Sequence, residues 1–61
     1  MIYRLYVFGP DGHIKMALNL LHETDEEALA AVEQAHASEQ RAMELWQLMR
    51  LVRRFPVRPS V

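Results

Sequence analysis

The tetrapeptide Gly9-Pro10-Asp11-Gly12 restricts the fold of this chain more than any other feature of the sequence. Proline fixes φ at the first corner of a turn, the aspartate side chain bonds its own backbone, and glycine accepts a positive φ. Residues 2–8, IYRLYVF, precede the turn and are of the β-branched and aromatic types that suit a half-buried strand. The sequence therefore predicts an N-terminal β-hairpin.

The two strands of this hairpin differ in their patterns. In the first strand both sides are largely apolar, which predicts a position inside a sheet or against a partner. One side holds Tyr3, Leu5 and Val7, and the other holds Ile2, Arg4, Tyr6 and Phe8. In residues 13–21 apolar residues alternate with Lys15, Ala17 and Asn19, which predicts a strand with one buried face. That face is formed by Ile14, Met16, Leu18 and Leu20.

A helix is predicted to begin at Thr24. The Thr24 side chain is placed to accept the N–H of Glu27 while the Glu27 side chain reaches back to Thr24, which is a capping box. Acids in the first turn suit the positive end of the helix dipole, so we interpret them as capping residues rather than as a catalytic cluster. Residues at helical spacing line one face, and residues 38–41 are expected to be the exit loop. These face residues are Ala28, Leu29, Val32, Ala35 and His36.

Residues 42–55, AMELWQLMRLVRRF, fit two secondary structures. As a helix they form one apolar stripe of good helix formers, and periodicity alone favours this interpretation. The stripe consists of Leu45, Leu48, Met49, Val52 and Phe55. As a strand, Leu45 and Leu51 share one side and Trp46 lies on the other. Pro56 ends either element, because the residue before a proline is pushed out of the α region.

The chain resembles a group of short, uncharacterised bacterial proteins that share four motifs and have no assigned activity. Here the motifs are Tyr-Arg-Leu-Tyr at 3–6, Asp-Gly-His-Ile at 11–14, Glu-Leu-Trp at 44–46 and Arg-Leu-Val at 50–52. In that group a glycine usually separates the last two motifs, which implies a strand, a tight turn and another short strand. On this resemblance we predict an α+β fold, ββαβ. The last β element is a strand or short hairpin, and the helix packs on one face of an antiparallel sheet.

Length and composition predict self-association. The chain has 61 residues, of which 51% are hydrophobic, and no cysteine for a disulfide or thiolate metal site. A chain this short buries only about 60% of its unfolded surface, and oligomerisation is a common supplement. We predict one domain over residues 1–55, a flexible tail over 56–61, and a homodimer. No apolar segment reaches the ~18 residues of a membrane span, and no export signal is recognised. The expected location is the cytoplasm, without a membrane partner.

No motif in the sequence predicts catalysis, a cofactor or a metal. His13, His22 and His36 lack the i, i+4 spacing with an intervening acid that a zinc helix uses, and neither a nucleophile elbow nor a phosphate loop is present. We therefore predict a non-enzymatic, self-associating interaction or structural module. Trp46 is interpreted as a core or interface anchor.

Two alternative functions remain open from the sequence. The first is weak nucleic-acid binding through a C-terminal arginine cluster, with guanidinium groups on phosphates and aromatic rings on bases. The candidate binding or interface residues are Trp46, Arg50, Arg53, Arg54 and Phe55, followed by Arg58. The second alternative is a small-molecule pocket at a dimer cleft near His22 or His36, for a ligand that the sequence does not identify.

Overall fold

Residues 1–57, which the computed structural model describes, form a four-stranded antiparallel sheet and a helix. The elements in chain order are β1 (Ile2–Phe8), β2 (Ile14–Leu21), α1 (Asp25–Glu39), β3 (Met43–Gln47) and β4 (Arg50–Phe55). The strand order is β2-β1-β3-β4, so β1 and β3 are central and β2 and β4 are edges. The helix packs against one face of the sheet, which confirms the predicted α+β fold.

The core lies between α1 and one face of the sheet. Tyr3, Leu5 and Val7, which the sequence places on one side of β1, are buried, and β1 lies inside the sheet as predicted. The strand register places Leu45 opposite Leu5 and Met43 opposite Val7, so β3 adds its side chains to the same face. Phe55 of β4 and residues of the helix complete the cluster. The helix contributes Ala28 and Val32, with Leu29 packed beside them.

The two ends of α1 differ in detail from the prediction. At the start, the Thr24 hydroxyl accepts the N–H of Glu27 at 3.2 Å, as expected for the N-cap. The reciprocal bond is different, because the Glu27 carboxylate accepts the N–H of Glu23 instead of that of Thr24. At the other end the helix continues to Glu39, so the predicted exit loop begins too early. Gln40 ends the helix in a left-handed conformation, with φ of 58°.

Residues 42–55 form a hairpin, and the helix that periodicity favours is wrong. Strands β3 and β4 are joined at Leu48 and Met49, and Leu48 takes a positive φ of 57°. Pairing with β1 overrides the helical propensity of the segment. Leu45 faces the helix, but Leu51 lies opposite Trp46 on the other face, because the turn and a register shift after Leu45 change the alternation.

The predicted burial of one face of β2 is wrong. Ile14, Met16 and Leu18 keep 55%, 45% and 41% of their surface exposed, and Leu20 is only half-buried. The physical reason is the position of α1, which packs against β3 and β4 and leaves β2 beside it. A register shift between Val7 and Phe8 also moves Ile14 to the face opposite the helix. The alternation in β2 marks a face that fits a core, but no element covers it within residues 1–57.

Candidate interaction site

The sheet face opposite α1, which we call the open face, is lined by side chains of both central strands. The register places Arg4 between Asn19 and Trp46, and Tyr6 between Ala17 and Glu44. Tyr6, Phe8 and Trp46 are half-buried among their neighbours, and Ile2 is exposed. The twisted sheet makes this face a wide, shallow depression of about 800 Å³. The part of the chain that the structure describes places no element over it.

The polar groups of the open face leave it with an excess of positive charge. The Glu44 carboxylate accepts the Nε1–H of Trp46 at 3.0 Å and the Nε–H of Arg54 at 3.1 Å. Both of its oxygens are therefore bonded within the chain, and its charge is compensated by Arg54. Arg4 is exposed and makes no ion pair with another described residue. The face is thus aromatic at its centre and weakly cationic.

The structure separates the candidate residues at the C-terminal end onto different surfaces. Arg50 donates two bonds of 3.1 Å to the Asp25 carboxylate on the helix side. Arg53 lies 4.0 Å from Glu33, also on the helix side, whereas Arg54 is on the open face. The predicted arginine cluster is therefore divided by the alternation of β4.

The two aromatic candidates are divided in the same way. Phe55 is buried in the core, 5% exposed, with its ring centroid 5.3 Å from that of His36. Trp46 lies on the open face, with its indole N–H bonded to Glu44. Arg58 falls outside the described residues. Of the candidate residues that the structure describes, only Trp46 and Arg54 share the open face.

Tyr3, Asp25 and Arg50 form a polar link that the sequence did not predict. The Tyr3 hydroxyl donates to the Asp25 carboxylate at 2.6 Å, and Arg50 donates to both oxygens of the same carboxylate. Hydrogen bonds from Arg50 and then from Tyr3 lower the pKa of Asp25 below 3.8. The hydrogen bond to Asp25, followed by desolvation, raises the pKa of Tyr3 above 10.0. An ionised carboxylate thus ties β1 and β4 to the start of α1.

The three histidines lie in three separate places. His36 is buried, and its Nε2–H donates to the carbonyl oxygen of Pro56 at 2.6 Å. His13 is exposed at the first turn, with Nδ1 at 3.3 Å from the Asp11 carboxylate. His22 follows β2 and is half-buried. Within residues 1–57 no three His, Asp or Glu side chains are grouped to hold a metal ion.

The second uncovered region is the outer edge of β2, which we call the β2 edge. In an antiparallel pair, successive residues turn their N–H and C=O groups alternately toward and away from the partner strand. The N–H of His22 donates to the carbonyl of Met1 at 3.1 Å, which shows that even-numbered residues of β2 point their backbone groups toward β1. Ala17, Asn19 and Leu21 therefore point their backbone groups away from β1. Among the described residues no strand pairs with them.

A narrow groove runs beside the β2 edge on the helix side. It has a volume of about 140 Å³ and separates β2 from the last turns of α1. Its floor and walls are mainly apolar and include Leu5, Val7, Met16, Leu18 and Ala35. The groove exists because α1 is displaced toward β4. Exposed apolar side chains of β2 thus line a surface that continues to an unpaired strand edge.

Comparisons of the chain with known protein families, with curated proteins and with solved structures found no match. The resemblance to short bacterial proteins therefore stays a prediction. Within residues 1–57, no helix is both long enough and apolar enough to cross a membrane.

Proposed function

We propose that this chain is a non-enzymatic module that self-associates as a homodimer. The observation that carries the proposal is the number of large apolar side chains left in water on both faces of the sheet and at the tip of the β3–β4 hairpin. Their exposed fractions run from 41% to 94%, and they are Ile2, Ile14, Met16, Leu18, Leu21, Leu48 and Met49. Covering such surface contributes about 25 cal/mol per Å². A second copy is therefore a source of stability that one chain of this length lacks.

The charge of the chain supports a second copy as the partner. The formal net charge is −1, so two copies meet with little overall repulsion. The acids that would repel each other are concentrated on α1 and adjoining turns, and Glu44, the acid on the open face, is bonded to Arg54. Neither the open face nor the β2 edge carries an unpaired carboxylate at its centre. The β2 edge, whose residues 16–21 are uncharged, thus fits a self-complementary apolar contact better than the open face, where Arg4 has no ion pair with a described residue.

Sedimentation equilibrium over a range of micromolar concentrations tests this proposal. We expect a species of twice the 7.1 kDa chain mass that dissociates on dilution. The dimer should persist at high salt, because apolar burial is not screened by ions. A folded chain that sediments at 7.1 kDa at every concentration would contradict it.

A second function, weak binding of single-stranded nucleic acid, is favoured by the open face rather than by the arginine cluster. Tyr6, Phe8 and Trp46 lie on adjacent central strands, and Arg4 is not paired with a described acid. Base stacking on an aromatic ring is worth about 1–3 kcal/mol per base, and arginine adds phosphate contacts. This chemistry fits a strand of bases lying across the open face.

Fluorescence anisotropy with a labelled single-stranded oligonucleotide at low salt tests the second function. We expect Arg4→Ala to weaken binding and to reduce the salt slope by about one. Arg53→Ala is the matched control, since Arg53 lies on the helix side and should leave binding unchanged. Absence of binding at low salt, or equal loss in the two variants, would contradict this function.

A further inference from the structure

We infer that two copies pair antiparallel along their β2 edges, around a two-fold axis at Asn19. The pairing joins two four-stranded sheets into one continuous sheet. This inference rests on the proposed self-association and specifies the surface that mediates it. A strand edge with unpaired N–H and C=O groups is a ready template for another strand. The β2 edge has such groups and a sequence that is complementary to itself.

The outward direction of the β2 backbone groups follows from two independent hydrogen bonds. The bond from His22 N–H to the Met1 carbonyl places the even-numbered residues of β2 toward β1. The bond from Phe8 N–H to the Ala42 carbonyl shows that even-numbered residues of β1 point their backbone groups toward β3. The odd-numbered residues of β1 therefore point their backbone groups toward β2. Both hydrogen bonds thus give the same direction for the backbone groups of β2. Ala17, Asn19 and Leu21 are the regular β2 residues with outward backbone groups.

These three outward residues are arranged symmetrically about Asn19. In an antiparallel pair centred on Asn19, the two Asn19 residues exchange both of their backbone bonds. Ala17 then pairs with Leu21 of the second copy, and Leu21 pairs with Ala17 of the second copy. Every outward N–H and C=O group of the three residues finds a partner. In a register centred on Leu18, Leu21 faces Lys15 at the register shift, and in one centred on Leu20, Ala17 faces Glu23 beyond the strand. The register centred on Asn19 therefore pairs the three regular residues with one another.

The side chains support the same register. On the helix side, Leu18 stands opposite Leu20 of the second copy, which is the closely spaced type of cross-strand pair. The two helix-side grooves then meet over Met16 and Leu18, which are exposed in one chain. At the ends of the pairing, Lys15, which lies at the register shift of β2, comes near Glu23 of the second copy. Both are exposed, and neither makes an ion pair with a described residue.

Asn19→Pro tests the pairing at its axis. Proline removes an N–H that points away from β1, a position that an edge strand tolerates. We expect dimerisation about thirtyfold weaker or more, because two central hydrogen bonds are lost. Arg54→Pro is the matched control. The odd-numbered residues of β3 bond to β4, so Arg54, which lies opposite Glu44, also points its backbone N–H outward. This control should remain folded and dimeric, with circular dichroism reporting the fold of each variant.

A charge exchange keeps the test decisive if a proline variant fails to fold. Lys15→Glu brings like charges near each other at both ends of the pairing, and Glu23→Lys does the same. We expect each variant to weaken dimerisation about three- to tenfold, as exposed ion pairs do when they are reversed. The double variant restores the pairing of opposite charges and should return to within about twofold of the natural chain.

The outcomes of these sedimentation experiments separate the two proposals. If the natural chain is a monomer at every concentration, self-association and the β2 pairing both fail. If the natural chain is a dimer and a folded Asn19→Pro variant dimerises equally well, only the β2 pairing is overturned. Independent effects of the two charge reversals, without rescue in the double variant, would also overturn it. Loss at Asn19→Pro together with charge rescue is the result that the inference predicts.

Discussion

Strands β2 and β4 are both edges of the same sheet, but within residues 1–57 the side chains of β4 are bonded or buried at both ends of the strand, whereas β2 packs only Leu20 against the core. The first residue of β4, Arg50, is bonded to Asp25, its last residue, Phe55, is buried under α1, and Pro56 follows directly. By contrast, residues 16–21 of β2 carry no charge and no proline, and their apolar side chains are largely exposed.

The difference shows that one displaced helix can cover one half of a small sheet, at β3 and β4, and leave the other half, at β2, uncovered. Charges, proline and strand irregularities on an edge strand discourage further pairing. β4 has charges and an irregularity, and Pro56 directly follows it. β2 has a register shift near Lys15 but none of these features beyond it. One chain thus protects the edge that its helix covers and leaves the other edge open to a second copy.

The largest expected effect comes from comparing one apolar side chain of each half. Phe55→Ala should lower the free energy of unfolding by about 3–5 kcal/mol, because it opens a cavity under α1. Leu18→Ala should cost less than about 1.5 kcal/mol in the monomer, because Leu18 is already partly in water. Urea unfolding at a concentration below dimer formation measures both. Equal losses at the two sites would remove the distinction between the halves.

A smaller effect concerns the polar link between β4 and the start of α1. Because bonds from Arg50 and Tyr3 lower the pKa of Asp25, its ionised form stabilises the fold at pH values above the ordinary pKa of 3.8. This contribution is lost as the pH falls through the lowered pKa. Asp25→Asn should therefore be less stable than the natural chain at neutral pH, with the difference shrinking in acid.

Thermal unfolding of the natural chain and Asp25→Asn over a pH series measures this difference. Arg50→Ala serves as the companion variant, because it removes the largest cause of the lowered pKa of Asp25. It should therefore reduce the pH dependence of the unfolding temperature. A difference between the natural chain and Asp25→Asn that stays constant from neutral pH into strong acid would show that the link does not act through the charge of Asp25.

The smallest effect lies at the turn that leads into β4. Leu48 is held at a positive φ of 57°, which costs a non-glycine residue about 1–2 kcal/mol. Leu48→Gly should therefore raise the free energy of unfolding by about 0.5–1 kcal/mol after the entropy of glycine is counted. Met49→Gly is the matched control, since Met49 is exposed and has no positive φ, and it should give no gain. Equal effects in urea unfolding would contradict the conformational explanation.

The sequence predicted those parts of the fold that depend on local signals. These signals are the Gly-Pro-Asp-Gly turn, the strand-forming residues 2–8 and the Thr24 cap. Each acts over a few residues, and the structure contains all three. For residues 42–55 periodicity gave the wrong element, because a strand between two partners gains hydrogen bonds that a helical stripe does not reveal. The turn at Leu48 has no glycine to mark it.

The candidate site was harder to predict because it depends on where α1 lies across the sheet. The alternation in β2 shows which side chains share a face, but it contains no information on whether a helix reaches them. Likewise, Arg53 and Arg54 are adjacent in sequence and point to opposite faces. The link from Tyr3 to Asp25 joins residues that are far apart in the chain, so no local pattern signals it. These features follow from the tertiary arrangement.

Amide hydrogen exchange at Asn19 distinguishes pairing along the β2 edges from any other dimer, because the Asn19 N–H is exposed in one chain and bonded in the proposed pairing. We predict that exchange at Ala17, Asn19 and Leu21 slows as concentration rises through the range in which sedimentation shows a dimer. The outward amide of Arg54 on β4 should stay fast at every concentration. Fast, concentration-independent exchange at Asn19 in a sample that is dimeric by sedimentation would contradict pairing along the β2 edges.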